Sequence, residues 1–273
     1  AAYNYAHRVL RSIALNFYII AKVRTSMQTI LTIFGTRPEA IKMAPVVKAI
    51  EEDPTLNSVV CVTAQQRQML DQVLSLFEIT PDYDLDLMTN NQTLAELTAR
   101  VVTELQEVLT NVRPNLVLVH GDTTTTMAAS LAAFYQKVAV GHVEAGLRTH
   151  NIYSPWPEEI NRQITSRIAA LNFAPTKLAA QNLRDENILE GSITITGNTV
   201  IDALQSVVDK IHNNPSLQQT LDSELPKLPQ DKHLILVTGH RRENFGEGFL
   251  NICNALTELA DNPRLHIIYP VHL

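Results

Sequence analysis

The sequence predicts an α/β protein built on doubly wound parallel sheets, and three observations support this prediction. Short apolar runs rich in β-branched residues alternate along the chain with segments of helical periodicity. The runs themselves do not alternate polar with apolar residues, which is typical of strands buried on both faces. Glycine or a polar cluster follows most runs directly, as at a strand-to-helix turn.

The predicted elements follow one another in a regular order. The predicted strands are 29–34 (TILTIF), 58–64 (SVVCVTA), 116–120 (LVLVH), 138–143 (VAVGHV), 193–196 (ITIT), 234–238 (LILVT) and 265–269 (LHIIY). Predicted helices between them include 40–52, 92–109 and 125–135. Strands that alternate with helices in this way form a parallel sheet covered by helices.

The chain is predicted to have three parts. Residues 1–26 lack an initiator methionine and a signal-peptide cleavage site, so we interpret them as an extension, non-native or disordered, before a natural start at Met27. Residues 27–197 form an N-terminal Rossmann-like domain. The pattern restarts after Gly197, so residues 198–273 are predicted to form a partial C-terminal Rossmann-like domain.

Composition narrows the range of functions. The chain has 273 residues, 45% of them hydrophobic and 18% charged, and a net charge of −6. This profile is typical of a soluble globular protein and argues against a nucleic-acid or membrane-surface partner. The two cysteines, Cys61 and Cys253, form neither a metal pattern nor a disulfide framework, so a cytoplasmic location is expected.

Polar clusters follow five of the predicted strands. They are GTRPEA (35–40), TAQQR (63–67), HGDTTTT (120–126), GHVEAG (141–146) and TGHRREN (238–244). Ligands bind beyond the carboxyl ends of strands in open parallel sheets, so these clusters predict a ligand site.

The first cluster has the features of an anion site. Pro38 suits the first turn of a helix, whose free N–H groups attract an anion. Arg37 and Lys42 lie beside that helix end and suit a phosphate or diphosphate, although they could also be solvated surface charges. The chain lacks the glycine fingerprint of dinucleotide-binding proteins, which argues against a nicotinamide cofactor.

Three carboxylates are predicted at the same edge of the sheet: Asp122, Glu144 and Glu158. Carboxylates that lie together have pKa values pushed apart, so one can act as an acid and another as a base. Asp122 could instead be a plain helix cap, and Glu158 could simply complement a helix dipole. Arg162 lies four residues after Glu158 and is expected to orient it.

Two further expectations concern the same region. Ile160, Ile164 and Ile168 are predicted to form the buried stripe of the helix that carries Glu158. No His/Cys set with metal spacing accompanies the carboxylates, and Arg148 and His240 could help to neutralise a diphosphate without metal. A Mg²⁺ site built on the carboxylates remains open.

The motifs resemble those of the non-hydrolysing bacterial UDP-N-acetylglucosamine 2-epimerases. The resemblance runs from Met27 to Leu273 and rests on FGTRPEAIKMAP, TAQQRQMLDQV, LVHGDTTTTMAASLAAFY, VGHVEAGLRT, YSPWPEEINRQ, ITGNTVIDAL and TGHRREN. It implies a GT-B-like fold with two Rossmann-type domains, and an active site in the cleft between them. The implied reaction interconverts UDP-N-acetylglucosamine and UDP-N-acetylmannosamine by elimination and re-addition of UDP, for surface polysaccharide synthesis.

The resemblance also implies roles for individual residues. The implied catalytic residues are Asp122, Glu144, Glu158 and His240, and the implied substrate-binding residues are Arg37, Lys42, Arg162 and Arg241. Gln65, Gln68 and His272, together with Arg241, match activator-binding positions. Gln66 and Asn91 depart from the pattern of activated members, so weaker activation is expected. No cofactor and no metal is implied, and a homodimer is expected.

Alternatives remain open from the sequence. A GT-B glycosyltransferase would share the fold and the nucleotide sugar, and a hydrolysing epimerase would share the substrate. The chain ends at YPVHL, partway through the expected second domain, so we expect it to be C-terminally incomplete. For the chain as it stands, an inactive nucleotide-sugar-binding fragment is therefore a further alternative.

Overall fold

The computed structural model describes residues 4–21, 27–63, 67–89, 91–239 and 246–270. The chain divides into two compact units, Ala1–Lys210 and Ile211–Leu273. Within the described residues, no helix combines the length and apolar character needed to cross a membrane.

The first unit is built on one parallel sheet. Its strands are β1 (Gln28–Phe34), β2 (Leu56–Val62), β3 (Tyr83–Asp84), β4 (Leu116–His120), β5 (Ala139–Val143), β6 (Leu171–Ala174) and β7 (Ile193–Ile195). Their order across the described sheet is β3-β2-β1-β4-β5-β6-β7, and every neighbouring pair is parallel. The order reverses between β1 and β4, and such reversal points are where doubly wound sheets bind ligands.

Helices cover both faces of this sheet. They are α1 (Tyr5–Ala21), α2 (Arg37–Glu51), α3 (Arg67–Leu76), α4 (Leu94–Val112), α5 (Thr124–Tyr135), α6 (Glu158–Ile168), α7 (Lys177–Asp185) and α8 (Val200–His212), with a short 3-10 helix at Glu190–Ser192. Successive residues of β1 point to opposite faces: Ile30 and Phe34 join a core that includes α1, α2 and α3, whereas Leu31 and Ile33 join a core that includes α4 and α5. The predicted α/β class with a doubly wound parallel sheet is confirmed.

Helix α1 belongs to the first core. Val9 and Ile13 are fully buried in it, and the backbone N–H groups of Tyr5 and Ala6 donate to the carboxylate of Asp202 at 3.1 and 2.9 Å. Residues 1–26 are predicted to be an extension, non-native or disordered; within them the structure has the helix Tyr5–Ala21, which contributes Val9 and Ile13 to the core. Whether the natural start is Met27 stays a prediction.

Asn198 and Thr199, directly after Gly197, contact the rest of the first unit. The Asn198 side chain donates to Glu144 at 2.9 Å, and the Thr199 hydroxyl donates to the backbone carbonyl of Lys42 at 2.6 Å. These contacts explain why the compact unit extends to Lys210, beyond the domain boundary predicted after Gly197. The assignment of 27–197 and 198–273 to separate domains stays a prediction.

The second unit contains a smaller parallel arrangement. Its described elements are α9 (Pro215–Glu224), β8 (His233–Leu236), α10 (Glu247–Ala260) and β9 (Leu265–Ile268), and it also takes the end of α8. Strands β8 and β9 pair in parallel, with Leu236 opposite Ile268. The strand-helix-strand order predicted for this region is therefore present.

Candidate active site

The polar clusters after β1, β4 and β5 meet at one edge of the sheet, because these strands are neighbours. Side chains from the three strand ends contact one another directly. Lys42 on α2 reaches Glu144 after β5, and Thr123 after β4 reaches Glu39 on α2. The structure therefore brings together the first, third and fourth predicted clusters.

The N-terminus of α2 is ordered by a capping box. The Thr36 side chain accepts from the backbone N–H of Glu39, and the Glu39 carboxylate accepts from the backbone N–H of Thr36 at 2.8 Å. Arg37 is half-buried at this helix end and forms no hydrogen bond or ion pair with the described residues. The positive end of the helix and an uncommitted guanidinium therefore suit an anion.

Glu39 also links two of the strand-end turns, and the sequence did not reveal this role. The residue is only 2% exposed. One carboxylate oxygen accepts from the backbone N–H groups of Gly35 and Thr36, and the other accepts from the hydroxyls of Thr123 at 2.6 Å and Thr126 at 3.0 Å. The capping-box spacing was visible in the sequence, but it indicates only a helix cap.

Glu144 is locked to Lys42. The Lys42 ammonium lies 2.7 Å from both carboxylate oxygens, and the Asn198 amide donates to one of them. Burial by itself raises the pKa of Glu144, but the charge of the Lys42 ammonium and the hydrogen bonds from Lys42 and Asn198 hold that pKa below its usual range. Glu144 also has a φ of 65°, a left-handed conformation that is strained for this residue type. Its carboxylate is therefore ionised and held in a fixed direction.

Asp122 has the opposite electrostatic character. Burial raises its pKa to about 6 against the opposing charge of Arg162, and the negative charges of Glu158, Glu144 and Glu39 add to the rise. The Arg162 guanidinium pairs with Asp122 at 2.9 Å. Asp122 therefore titrates near neutral pH, whereas Glu144 stays ionised.

Arg162 does not orient the Glu158 carboxylate as expected. Its guanidinium binds Asp122 and lies 3.6 Å from Glu159, and it reaches Glu158 only at the backbone carbonyl, at 3.4 Å. One oxygen of the Glu158 carboxylate is buried and has no hydrogen-bond partner among the described residues. Residues four apart lie on the same helix face, but the Arg162 side chain is long enough for its guanidinium to reach Asp122 after β4.

The predicted apolar stripe of α6 is wrong. Ile160 and Ile164 are 37% and 39% exposed, and Ile168 is only partly buried. The buried residues of this helix are Glu159, Asn161, Arg162, Thr165 and Ser166. The polar face is buried because its side chains bond to residues of the candidate site. The Asn161 amide, for example, donates to the backbone carbonyl of Asp122 at 3.0 Å.

Two buried histidines on β4 and β5 were also missed by the sequence reasoning. His142 donates from Nε2 to the carbonyl of Gly121 at 2.7 Å, and its Nδ1 lies 3.3 Å from the Ser166 hydroxyl. Burial lowers the pKa of His142 to about 3, so the ring is neutral and supports the turn that carries Asp122. A histidine inside a predicted apolar strand was the only available signal.

The second histidine, His120, is the last residue of β4. Its side chain is 4% exposed, and its Nε2 lies 3.7 Å from a carboxylate oxygen of Glu144. Neither ring nitrogen has a hydrogen-bond partner among the described residues. Burial is the main cause that lowers the pKa of His120.

Arg148 has a different role from the one expected. Its buried guanidinium forms a two-bond pair with Glu186, at 2.6 and 2.8 Å. The pair fastens the loop after β5 to the end of α7. Arg148 is therefore committed to a structural contact and is not free to meet a diphosphate.

The remaining predicted site residues belong to other parts of the chain. Gln68 lies on α3 with an exposed side chain. His240, Arg241, Gln65 and His272 lie outside the described residues.

A doubly wound sheet with a helix N-terminus suited to an anion, and two carboxylates with pKa values pushed apart beside it, defines an α/β protein with a candidate anion and acid–base site. The UDP-N-acetylglucosamine 2-epimerase family model matches residues 48–273. The chain belongs to this family.

Individual relatives agree with the family match. The UDP-N-acetylglucosamine 2-epimerase of Salmonella typhimurium is 58% identical over 245 residues, which are 89% of this chain and 65% of that protein. The crystal structure of UDP-GlcNAc 2-epimerase from Neisseria meningitidis, bound to UDP-GlcNAc, is 52% identical with a TM-score of 0.85, over 90% of this chain and 66% of that chain. The enzyme of Methanocaldococcus jannaschii in complex with UDP-GlcNAc and UDP is 32% identical with a TM-score of 0.76, over 90% of this chain and 66% of that chain.

These similarities also bear on fold and length. The predicted GT-B-like α/β class is confirmed by the structural neighbours. The chain spans about 65% of the length of the curated relatives that it matches.

Proposed function

We propose that this chain carries the acid–base part of an epimerase that converts UDP-N-acetylglucosamine reversibly into UDP-N-acetylmannosamine. The observation that carries the proposal is a pair of carboxylates whose pKa values are pushed apart. Asp122 has a pKa of about 6, whereas Glu144 has a lowered pKa and is ionised. Both lie at neighbouring strand ends, beside an anion-binding helix terminus. The names of the relatives support the choice of substrate.

Epimerisation at C2 needs such a pair, because the proton leaves one face of the sugar and returns to the other. In the elimination, the C1–O bond to UDP breaks and its electron pair leaves with UDP. The C2–H electrons form the C1=C2 double bond, and the proton passes to a carboxylate. In the re-addition, a UDP oxygen attacks C1 while an acid delivers a proton to C2 from the opposite face. Glu144 suits the base and Asp122 the acid, and the unpaired oxygen of Glu158 offers a third acceptor.

Positive groups beside the carboxylates suit the departing UDP. Arg37 and the N-terminus of α2 face the same strand ends, and Lys42 is one turn further along that helix. Charge that grows on the leaving diphosphate is stabilised most strongly by groups already in place. His240 and Arg241 are proposed to add to this group on the basis of their motif. The mechanism needs no metal and no nicotinamide.

Several finer points belong to the same proposal. The whole protein is proposed to be a cytoplasmic homodimer that supplies surface polysaccharide synthesis. Exposed apolar side chains on α5 and α6, among them Phe134, Tyr135 and Ile164, support an interface on that side of the first unit. Activation through Gln65, Gln68 and His272 is proposed to be weaker than in members that carry the usual residues.

The family match favours the epimerase over the glycosyltransferase alternative. A glycosyltransferase moves the sugar to an acceptor and leaves C2 untouched, so it does not need a pair of acid–base carboxylates beside C2. An inactive fragment that only binds the nucleotide sugar stays the alternative for the chain as it stands.

The test is NMR of the protein that contains this chain, incubated with UDP-N-acetylglucosamine in D₂O. The expected result is deuterium at C2 together with UDP-N-acetylmannosamine, unaffected by EDTA. The isosteric variants Asp122→Asn, Glu144→Gln and Glu158→Gln should each lose about 10²-fold or more in turnover. Glu190→Gln, which alters only an exposed pair with Arg184, is the matched control. Near-normal turnover in all three variants would contradict the assignment, and free N-acetylmannosamine with UDP would indicate a hydrolysing enzyme.

A further inference from the structure

His120 is a buried polar side chain whose ring makes no hydrogen bond with the described residues. The ring is 4% exposed and neither nitrogen is hydrogen-bonded within the described part of the chain. Leaving a buried donor or acceptor unsatisfied costs about 1–3 kcal/mol, so such groups are rare in native proteins. The neighbouring buried histidine, His142, has both nitrogens engaged. The contrast indicates that His120 acquires its partner in another state of the site.

One acceptor lies almost within reach of His120. Its Nε2 is 3.7 Å from a Glu144 oxygen, which is less than 1 Å beyond ordinary hydrogen-bond distance. The Lys42 ammonium lies 2.7 Å from that oxygen and from the other carboxylate oxygen. The two bonds hold the carboxylate towards Lys42 and at a distance from His120.

Lys42 has a reason to leave Glu144 when substrate binds. It is the cation one turn into α2, whose N-terminus is proposed to bind the diphosphate. A diphosphate carries more negative charge than one carboxylate and competes for the ammonium. Without Lys42, the carboxylate of Glu144 would lose its main partner in a buried place, where an unpaired charge is costly.

We propose that His120 is a positioning residue for Glu144: when a diphosphate draws Lys42 away, the Nε2–H of His120 closes on the Glu144 carboxylate and holds it in place. This inference rests on the proposed function for the identity of the anion. The charged and titratable groups that face His120 are Glu144, Lys42, Glu39 and His142.

The exchange of partners would also activate Glu144. A neutral imidazole neutralises less of the carboxylate charge than an ammonium does, so the carboxylate becomes a better proton acceptor. Burial keeps the ring neutral, which suits a donor that must not hold the charge itself. Glu144 would thus be a weak base in the empty site and a stronger one when the leaving group is bound.

The first test needs no turnover. Ring ¹⁵N signals of His120, assigned by their loss in His120→Asn, report whether Nε2–H donates a hydrogen bond. We expect the signal of the parent protein to shift on addition of inorganic pyrophosphate, and we expect the same shift without ligand in Lys42→Met. Lys48→Met removes an exposed pair with Glu51 on the same helix and is the matched control. An unchanged His120 signal in Lys42→Met overturns the inference.

The second test uses the epimerase assay. His120→Phe keeps the bulk of the ring without a donor and should lower kcat about 10²-fold, the scale of a misplaced catalytic group, without weakening pyrophosphate binding. Its pH–rate profile should lose the limb that reports Glu144. His120→Asn, which can still donate, should recover part of kcat. Thr32→Val removes another buried hydroxyl without a partner in the described residues, on β1, and should leave kcat unchanged.

The two tests separate this inference from the proposed function. Normal turnover in His120→Phe would overturn the inference while the epimerase reaction stands. A His120 signal that responds to Lys42→Met and to pyrophosphate in a protein without epimerase activity would support the exchange of partners and contradict the proposed reaction.

Discussion

Replacing Arg162 with methionine isolates the charge that opposes the burial of Asp122. The guanidinium lies 2.9 Å from Asp122, and its side chain is almost fully buried. Methionine keeps most of the apolar volume but removes the positive charge. Burial and the carboxylates of Glu158, Glu144 and Glu39 then act on Asp122 unopposed. An opposite charge at this distance shifts a pKa by about 1–3 units, so the pKa of Asp122 should rise from about 6 by at least roughly one unit.

The same substitution changes how stability depends on pH. The pKa of Asp122 is about 6 in the folded chain, against an ordinary value of 3.8 for aspartate. Its contribution to stability is therefore fully present below pH 3.8 and is lost as the pH rises through about 6. A shift of this size corresponds to about 3 kcal/mol, which we reduce to about 1–2 kcal/mol because 32% of the side chain is exposed to solvent. In Arg162→Met the loss should continue to higher pH. At neutral pH the variant should also lose about 3 kcal/mol, because it leaves Glu159 and Asp122 without their cation.

The measurements are ¹³C NMR titration of the Asp122 carboxyl group and urea unfolding across the pH range. Asp122→Asn should abolish the pH-dependent loss, which ties the effect to this group. Arg184→Met removes an exposed arginine from its pair with Glu190 and should leave the Asp122 titration unchanged. An Asp122 pKa that stays in place or falls in Arg162→Met would refute the reasoning.

Two further predictions concern stability. Gly197 has a φ of +91°, and a methyl group there would meet the Tyr5 ring at 2.0 Å, so Gly197→Ala should lower the free energy of unfolding by about 1–3 kcal/mol. Gly191→Ala has open space and should be neutral in the same urea titration; equal stability of the two variants would mean that α1 does not press on Gly197. Glu39→Gln replaces an acceptor with a donor that faces hydroxyl and N–H groups, and should cost about 1–3 kcal/mol in urea unfolding. Faster hydrogen exchange at the backbone N–H of Thr36 should accompany that loss, and unchanged exchange there would contradict the role given to Glu39.

Strand positions were predictable because buried parallel strands leave a clear pattern. The run 116–120 coincides with β4, and 29–34 differs from β1 by one residue. Once the strands are parallel, the residues that follow them must lie at one edge of the sheet. Asp122, Glu144 and the start of α2 were located by this reasoning alone.

Pairings within the site could not be predicted in the same way. Arg162 is spaced to reach Glu158, yet its long side chain finds Asp122 instead. The buried face of α6 was also predicted wrongly. Helical periodicity predicts that the apolar face is buried, but in α6 the polar face packs against the candidate site. For His120 the sequence shows only a histidine in an apolar strand, and this does not reveal that its ring nitrogens lack partners among the described residues.

The Glu39 carboxylate has a mechanical consequence. It is bonded to the backbone of the turn after β1 and to the hydroxyls of the turn after β4. The two turns are therefore linked to each other through Glu39, in addition to being continuous with their own strands. When an anion binds and displaces the turn after β1, the Glu39 hydrogen bonds should displace the turn after β4 with it. In the proposed reaction, the groups that hold the leaving diphosphate and the groups that transfer the proton would therefore move together.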